Sequence, residues 1–443
     1  MKRSKIAVLA LTLCAALLVS ACGGTGAGRD ESASAAASAV PEKQPWQQAA
    51  EMLEAVPSRY LLTGEFLSWC EQQHPGLCEG LTAQGAEAYT DNLFWTLCDT
   101  TLETLHTLYT YQNGDLPENI HLTEAEVPVT LAFGGDVNFA DDWYNMVHYH
   151  QNGGGEFIGP ELLAEMKAAD LLLLNNEFCF SDRGSPLPGK MYTFRANPAN
   201  AQMWHQIGVD LVGLANNHVY DFGEDAFYDT LDTLTAAGIP YVGAGRNIEE
   251  AQKAQYFIAG GMKIAYVASS RAEKYICTPE AGPDSPGILR TYEPELTMEA
   301  IREAKANSDY VVVYVHWGTE GSQVLEEAQI DLATLYAEAG ADLIVGAHTH
   351  ILQGAGWREE VPVLYSMGNF WFNMETEDTA LAKVTLNGPH TEDAQVQMLP
   401  AIQSGGRTEL ASPQDAARIL QSLNRVMESG SFDEQGILHK NAA

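Results

Sequence analysis

The chain has 443 residues, 46% of them hydrophobic, enough for a sizeable buried core and inconsistent with a disordered or fibrous class. Its 59 acidic residues against 24 basic ones leave a formal charge of −35 at pH 7. Binding a polyanion depends on Lys and Arg neutralising phosphates, so no nucleic-acid partner is expected, and an anionic substrate needs locally placed cations or metal ions to be held.

Lys2, Arg3 and Lys5 precede an apolar run from Ile6 to Val19, short for a bilayer span, that ends in Val19-Ser20-Ala21-Cys22. This resembles a bacterial lipoprotein signal peptide over residues 1–21. The resemblance implies cleavage before Cys22, acylation of Cys22, and a chain held by lipid on the extracytoplasmic side of the cell membrane. The other reading of the run is an uncleaved anchor helix.

Residues 22–45 are Gly, Ala and Ser with a few charges, a composition that cannot bury a core and reads as a flexible linker. Between 46 and 120, Leu61, Leu62, Phe66 and Trp69, then Leu93, Phe94, Leu97, Leu102, Leu105 and Leu108 recur at helical spacing. They predict a small N-terminal helical region whose apolar stripe is packing. Cys70, Cys78, Cys98, Cys179 and Cys277 are odd in number, so at least one is free within a chain, and Cys70 and Cys78 are near enough in sequence to bridge.

Past Pro117 and Pro128, short apolar runs alternate with helical stretches, the mark of an α/β domain, here placed over 126–405. Val129 to Phe133 leads to Gly134-Gly135-Asp136, Leu171 to Leu174 to Asn175-Asn176-Glu177, and Leu211 to Leu214 to Asn216-Asn217-His218 with Asp221. Ile264 to Ala268 leads to Ser269-Ser270-Arg271, Val311 to Val315 to His316, Leu343 to Val345 to Gly346-Ala347-His348-Thr349-His350, and Val363 to Tyr365 to Gly368-Asn369. Helices are predicted over Glu161–Ala168, Asp225–Ala237, Met298–Asn307 and Glu326–Ala339. A terminal helix from Pro413 to Glu428 and a polar tail occupy 411–443.

Asp136, Glu177, Asn217, His316, His348 and His350 are all types that ligate divalent ions, and each follows an apolar run that places it on the same rim of a sheet. A central carboxylate able to bridge two ions, with imidazoles and an amide around it, suits metal-assisted hydrolysis. Taken singly, each has an ordinary role: Asp136 or Asn217 as a helix cap, Glu177 in a salt bridge, His316 as a core histidine. Arg183, Lys190, Arg195 and Arg271 lie just after or between these turns, where they could clamp an anionic ligand; Arg195 could instead neutralise the acidic cluster around Glu177.

The order and spelling of these turns resemble the CapA family of poly-γ-glutamate capsule proteins, within the calcineurin-like metallophosphatase fold. The resemblance rests on Gly135-Asp136, Asn176-Glu177, Ala215-Asn216-Asn217-His218 with Asp221 and Gly223, His316-Trp317-Gly318 with Glu320, Gly346-x-His348-x-His350, and Ser366-x-Gly368-Asn369-Phe370, and spans roughly 127–372. It implies an α/β fold of the α+β type, a four-layer αββα β-sandwich flanked by helices, with one or two divalent ions (Mn, Zn or Fe) at one edge. In that scheme Asp136 and His350 serve the first ion, Glu177 bridges, and Asn217, His316 and His348 serve the second. His218 is then the proton donor or charge stabiliser, oriented by Asp221.

Two positions depart from the wider phosphoesterase pattern. Asn138 stands where a histidine is usual, and glutamate replaces the bridging aspartate, which leaves a weaker first site, a single ion or none as alternatives. The function expected is a lipid-anchored surface protein in poly-γ-glutamate capsule synthesis, export or processing, in contact with capsule machinery, with a hydrolase-type site. The alternatives are an extracellular metallophosphoesterase acting on a phosphorylated small substrate, or a non-catalytic assembly component, which Asn138 favours.

Overall fold

The structure, a computed structural model, describes residues 43–275 and 278–441. The signal-peptide run, Cys22, most of the linker and Cys277 lie outside the described residues. No helix among the described residues is long and apolar enough to cross a membrane.

Among the described residues, two large mixed sheets dominate. In one, the strands Met262–Ser270, Tyr310–His316, Leu343–Ala347 and Val361–Leu364 run parallel, with antiparallel neighbours at both sides. In the other, Val129–Val137, Leu171–Asn176, Leu211–Gly213 and Tyr241–Val242 run parallel, and the hairpin Glu377–Leu386/Ala394–Ser404 extends the sheet antiparallel beyond Val129–Val137. Strands covered on both faces read as unbroken apolar runs, and this is why Tyr310–His316 is buried at every position.

Side chains alternate across a strand, so one strand feeds two cores. Tyr310, Val312 and Tyr314 join the larger core between the sheets, beside Phe133, Leu173 and Tyr266. Val311, Val313 and Val315 face the other way, against Ile301, Ala304, Leu332 and Tyr336 of the helices Glu295–Ala306 and Glu327–Ala339. The helices Pro160–Ala168, Gln202–Ile207 and Glu224–Ala237 connect successive parallel strands of the second sheet and cover it through Leu162, Met166, Trp204, Phe227 and Leu231. The result is the αββα sandwich that the family resemblance implies. The helix predicted from Met298 starts a turn earlier, at Glu295, and the terminal helix ends at Arg425 instead of Glu428.

The N-terminal helices, from Pro45–Leu53 to Leu102–Thr110, bury their own core of Leu53, Phe66, Leu67, Leu81, Phe94 and Leu105. Leu61, expected on that stripe, is 80% exposed, because it belongs to the turn before the helix that Thr63 caps. Cys70 and Cys78 are buried free thiols, so the bridge their spacing allows is not formed. The region is fastened to the first sheet by charge: Lys263 Nζ lies 3.1 Å from Glu103, which also faces Arg59 at 3.3 Å. Thr101 donates its hydroxyl to Asp309 at 2.7 Å and its N–H to the Gly261 carbonyl at 3.0 Å.

Candidate metal centre

All six expected ligands meet at one rim of the sandwich, but the rim is built by two sheets. Asp136 lies at the end of a strand of the second sheet and Glu177 and Asn217 follow strands of it, while His316 ends a strand of the first sheet and His348 and His350 follow another. The chain crosses closely there. A Cβ on Gly135 would sit 1.7 Å from the Gly368 carbonyl, which accepts the Asp136 N–H at 2.9 Å. His348 and His350 adopt left-handed φ angles of 95° and 61°, a conformation costing on the order of 1–3 kcal/mol per non-glycine residue. The His348 N–H is held by Asp136 Oδ2 at 3.2 Å.

The ligand atoms fall into two groups that share one residue. Glu177, His316 and His348 present atoms within 4.8 Å of one another, and so do Asp136, Glu177 and His350. His316 Nε2 faces Asn217 Oδ1 at 2.8 Å, His348 Nδ1 at 3.1 Å and Glu177 Oε1 at 3.4 Å. His350 Nδ1 lies 3.3 Å from Asp136 Oδ2, and its Nε2 lies 3.9 Å from Glu177 Oε1. Glu177 Oε1 is thus surrounded by imidazole nitrogens, yet it is fully buried and makes no hydrogen bond to any described residue. A buried carboxylate oxygen without a donor is costly, and lone pairs converging from oxygen and nitrogen are the donor set of a cation. The residues present fit a pair of divalent ions.

Electrostatics agree with the geometry. Burial pushes Glu177 well above the usual carboxyl value, and the neighbouring Asp136 pushes it further. Burial also acts to raise Asp136, but the hydrogen bonds from His350 and Asn175 and the field of His350 outweigh it, so Asp136 stays below its ordinary value. Burial lowers His316 to about 3 and takes His348 well down, which keeps both as neutral imidazoles able to ligate. His350 moves the other way: burial opposes its charge, but the hydrogen bond and field of Asp136 raise it.

His218 is buried beside this cluster. Its Nδ1 is 2.7 Å from Asp221 Oδ2, its Nε2 is 4.0 Å from Glu177 Oε1, and Phe194 packs against the ring. Asp221, fully buried, also accepts the Phe194 N–H at 2.8 Å and pairs with Lys190 at 2.8 Å. Asn217 is no helix cap, since the next helix begins at Glu224 behind Gly223. Asn216 organises the turn by accepting the N–H groups of His218 and Val219.

Of the four basic residues, Lys190 alone turns its side chain to this cluster, and Arg271 meets it only through its backbone N–H, which donates to the His316 carbonyl at 2.8 Å. Arg183 pairs with Asp225 and Asp229 on the helix surface, Arg195 donates to the Arg183 carbonyl and lies over Phe222, and Arg271 pairs with Glu326. Supporting residues that the motifs alone do not expose are Asn175, which donates to Asp136 at 2.8 Å, Asn369, which faces His350 Nδ1 at 2.9 Å, and Glu273, which accepts from Asn217 at 3.1 Å. Asn175 and Asn369 sit inside the polar turns and so carried a signal; Glu273 carried none.

Residues 130–374, more than half of the chain, match the family model described as "Bacterial capsule synthesis protein PGA_cap". The capsule biosynthesis protein CapA of Bacillus anthracis is 32% identical over 234 residues, covering 51% of this chain and 56% of that protein. The PGA biosynthesis protein CapA of Bacillus subtilis (strain 168) is 32% identical over 196 residues, covering 43% and 51%. A probable polyglutamine synthesis accessory protein of Mycobacterium tuberculosis is 26% identical over 281 residues, covering 59% and 73%. The chain thus spans about half the length of the two CapA proteins. Among solved structures, the Haemophilus influenzae NAD nucleotidase NadN aligns over 70% of this chain and 64% of its own, with 14% identity and a TM-score of 0.35. By the extent of the family match, the chain belongs to the bacterial capsule synthesis protein PGA_cap family.

Proposed function

We propose that this chain is a lipid-anchored, extracytoplasmic protein of the CapA type that acts in the synthesis, export or processing of poly-γ-glutamate through a divalent-metal centre of hydrolase type. The names of its relatives support the capsule role, and residues 1–22 support the anchor. The observation that carries the hydrolase reading is Glu177 Oε1, buried and donorless among three histidines and common to both ligand groups. Divalent ions held there would act as Lewis acids on a scissile amide or phosphoryl group and lower the pKa of an attacking water. Asp221 accepts the Nδ1–H of His218, which fixes the ring and leaves Nε2 to take up a proton and pass it to the leaving group. Lys190 balances the buried charge of Asp221.

Asn138 supports a second reading, a binding or assembly component. Its side-chain oxygen accepts the Ala140 N–H at 2.8 Å and its carbonyl accepts from Asn145, so the residue shapes the turn. One preparation of the mature protein separates the two. Bound metal is measured, then turnover of an aryl phosphate and of poly-γ-glutamate, before and after His218→Ala. Metal-dependent turnover abolished by the substitution supports the enzyme; no metal and no turnover, with saturable polyglutamate binding, overturns it in favour of the second reading. Release of a Cys22→Ala chain from the membrane fraction tests the anchor.

A further inference from the structure

Glu273 lies in the loop that leaves the Met262–Ser270 strand, at a left-handed φ of 44°, with its side chain 37% exposed. Its Oε2 accepts a hydrogen bond from Asn217 Nδ2 at 3.1 Å and stands 3.4 Å from Lys190 Nζ. Lys190, whose side chain is 5% exposed, donates to the Asn217 carbonyl and reaches Asp221 Oδ1 at 2.8 Å. An asparagine amide has two ends of nearly the same shape, and only the oxygen end can ligate a cation. With Nδ2 committed to Glu273, Oδ1 is turned inward, 2.8 Å from His316 Nε2.

We propose that Glu273 is a positioning residue: it holds the Asn217 amide oxygen-inward and, through Lys190, ties that ligand to Asp221 and so to His218. The inference rests on the metal-centre reading above. It makes one carboxylate, outside every motif and half in solvent, common to the ligand shell and the proton-transfer pair. Outer partners of this kind set ligand orientation, and losing one costs roughly 10–100-fold in metal affinity.

The test is a Co2+ titration of the full mature chain, read by the visible absorption of the bound ion and by its dissociation constant. Glu273→Ala is expected to weaken binding about tenfold or more and to alter the absorption bands. Glu273→Gln keeps an oxygen that can accept from Asn217 and is expected to stay within about threefold of wild type. Asn217→Asp supplies the decisive background: both terminal atoms are then oxygens, orientation loses its meaning, and adding Glu273→Ala causes no further loss. Equal affinity and spectrum for wild type and Glu273→Ala overturn the proposal. An equal loss in the Asn217→Asp background also overturns it, in favour of general loop support. Absence of Co2+ binding by the wild type sinks the metal-centre reading itself and the positioning role with it, a result distinct from both. Unchanged thermal midpoints of the metal-free variants show that they fold.

Discussion

Replacing Glu177 with glutamine should move stability in opposite directions with and without metal. In the metal-free protein, burial and the nearby Asp136 raise the Glu177 carboxyl well above its ordinary value, so the ionised side chain destabilises the fold. A group raised in this way costs nothing while protonated in both folded and unfolded chains. Stability is lost as pH rises from the ordinary carboxyl range through the folded value. The low values of His316 and His348 produce the opposite slope, with stability rising with pH, and they are common to both proteins. The difference between wild type and Glu177→Gln therefore isolates Glu177. Without metal, the variant should unfold at a higher temperature than wild type at pH 8, and the gap should close near pH 4.

With metal the order reverses. Each of two sites filled at a hundredfold excess over its dissociation constant adds about 2.7 kcal/mol, which for a chain of this size raises the midpoint by about 6 °C in total. Glutamine cannot bridge two cations, so the variant should gain under about a third of that. The assay is differential scanning fluorimetry with Mn2+ or Zn2+ and with chelator, across pH 4 to 8. A metal-free variant less stable than wild type at pH 8 would refute the buried-charge argument. An equal gain from metal in both proteins would refute the bridging role.

Asp221→Ala removes the acceptor that orients His218 Nδ1–H; kcat on any substrate the protein turns over should fall roughly 100-fold or more while metal content, measured by elemental analysis, stays at the wild-type value. Lys263→Met leaves the buried Glu103 with the half-exposed Arg59 as its remaining cation, beside the hydroxyls of Tyr60 and Thr107, and should cost about 3 kcal/mol in urea unfolding, with most of it recovered when Glu103→Leu is added. Burial pushes the Cys78 thiol up to about 12 and Cys98 to about 11, and raises Cys70 and Cys179 further, so none should react with maleimide in the native protein at pH 7.5. Peptide mapping after labelling reads this directly, and modification of Cys78 in the folded chain would contradict the packing of the N-terminal helices.

How far the sequence disclosed this molecule depended on the kind of interaction. The parallel strands announced themselves because burial on both faces forces unbroken apolar runs, and each run ends in the polar turn that the structure places at the rim. The residues of the candidate site were legible for the same reason: Asp136, Glu177, Asn217 and the three histidines sit where a rigid strand stops. The division of those ligands between two sheets was not legible, because strand neighbours are set by contacts far apart in the chain, such as Tyr310–His316 lying beside Met262–Ser270. Glu273 was hidden because nothing in its local spelling separates it from the chain's many other acids; its role depends on Asn217, 56 positions away. The partners of Arg183 and Arg271 were hidden likewise, in helices whose facing surfaces only tertiary packing decides.

Tyr314, on the first sheet, donates its hydroxyl across the interior to the Gly134 carbonyl at 2.9 Å, two residues before Asp136. That cross-brace links the gap between the two layers to the grip of the rim, since three ligands ride on each side. Trimming Tyr314 to phenylalanine would remove none of the six candidate ligands and still loosen the jaws, so the affinity for any cation held there would become a gauge of how well the sandwich is closed.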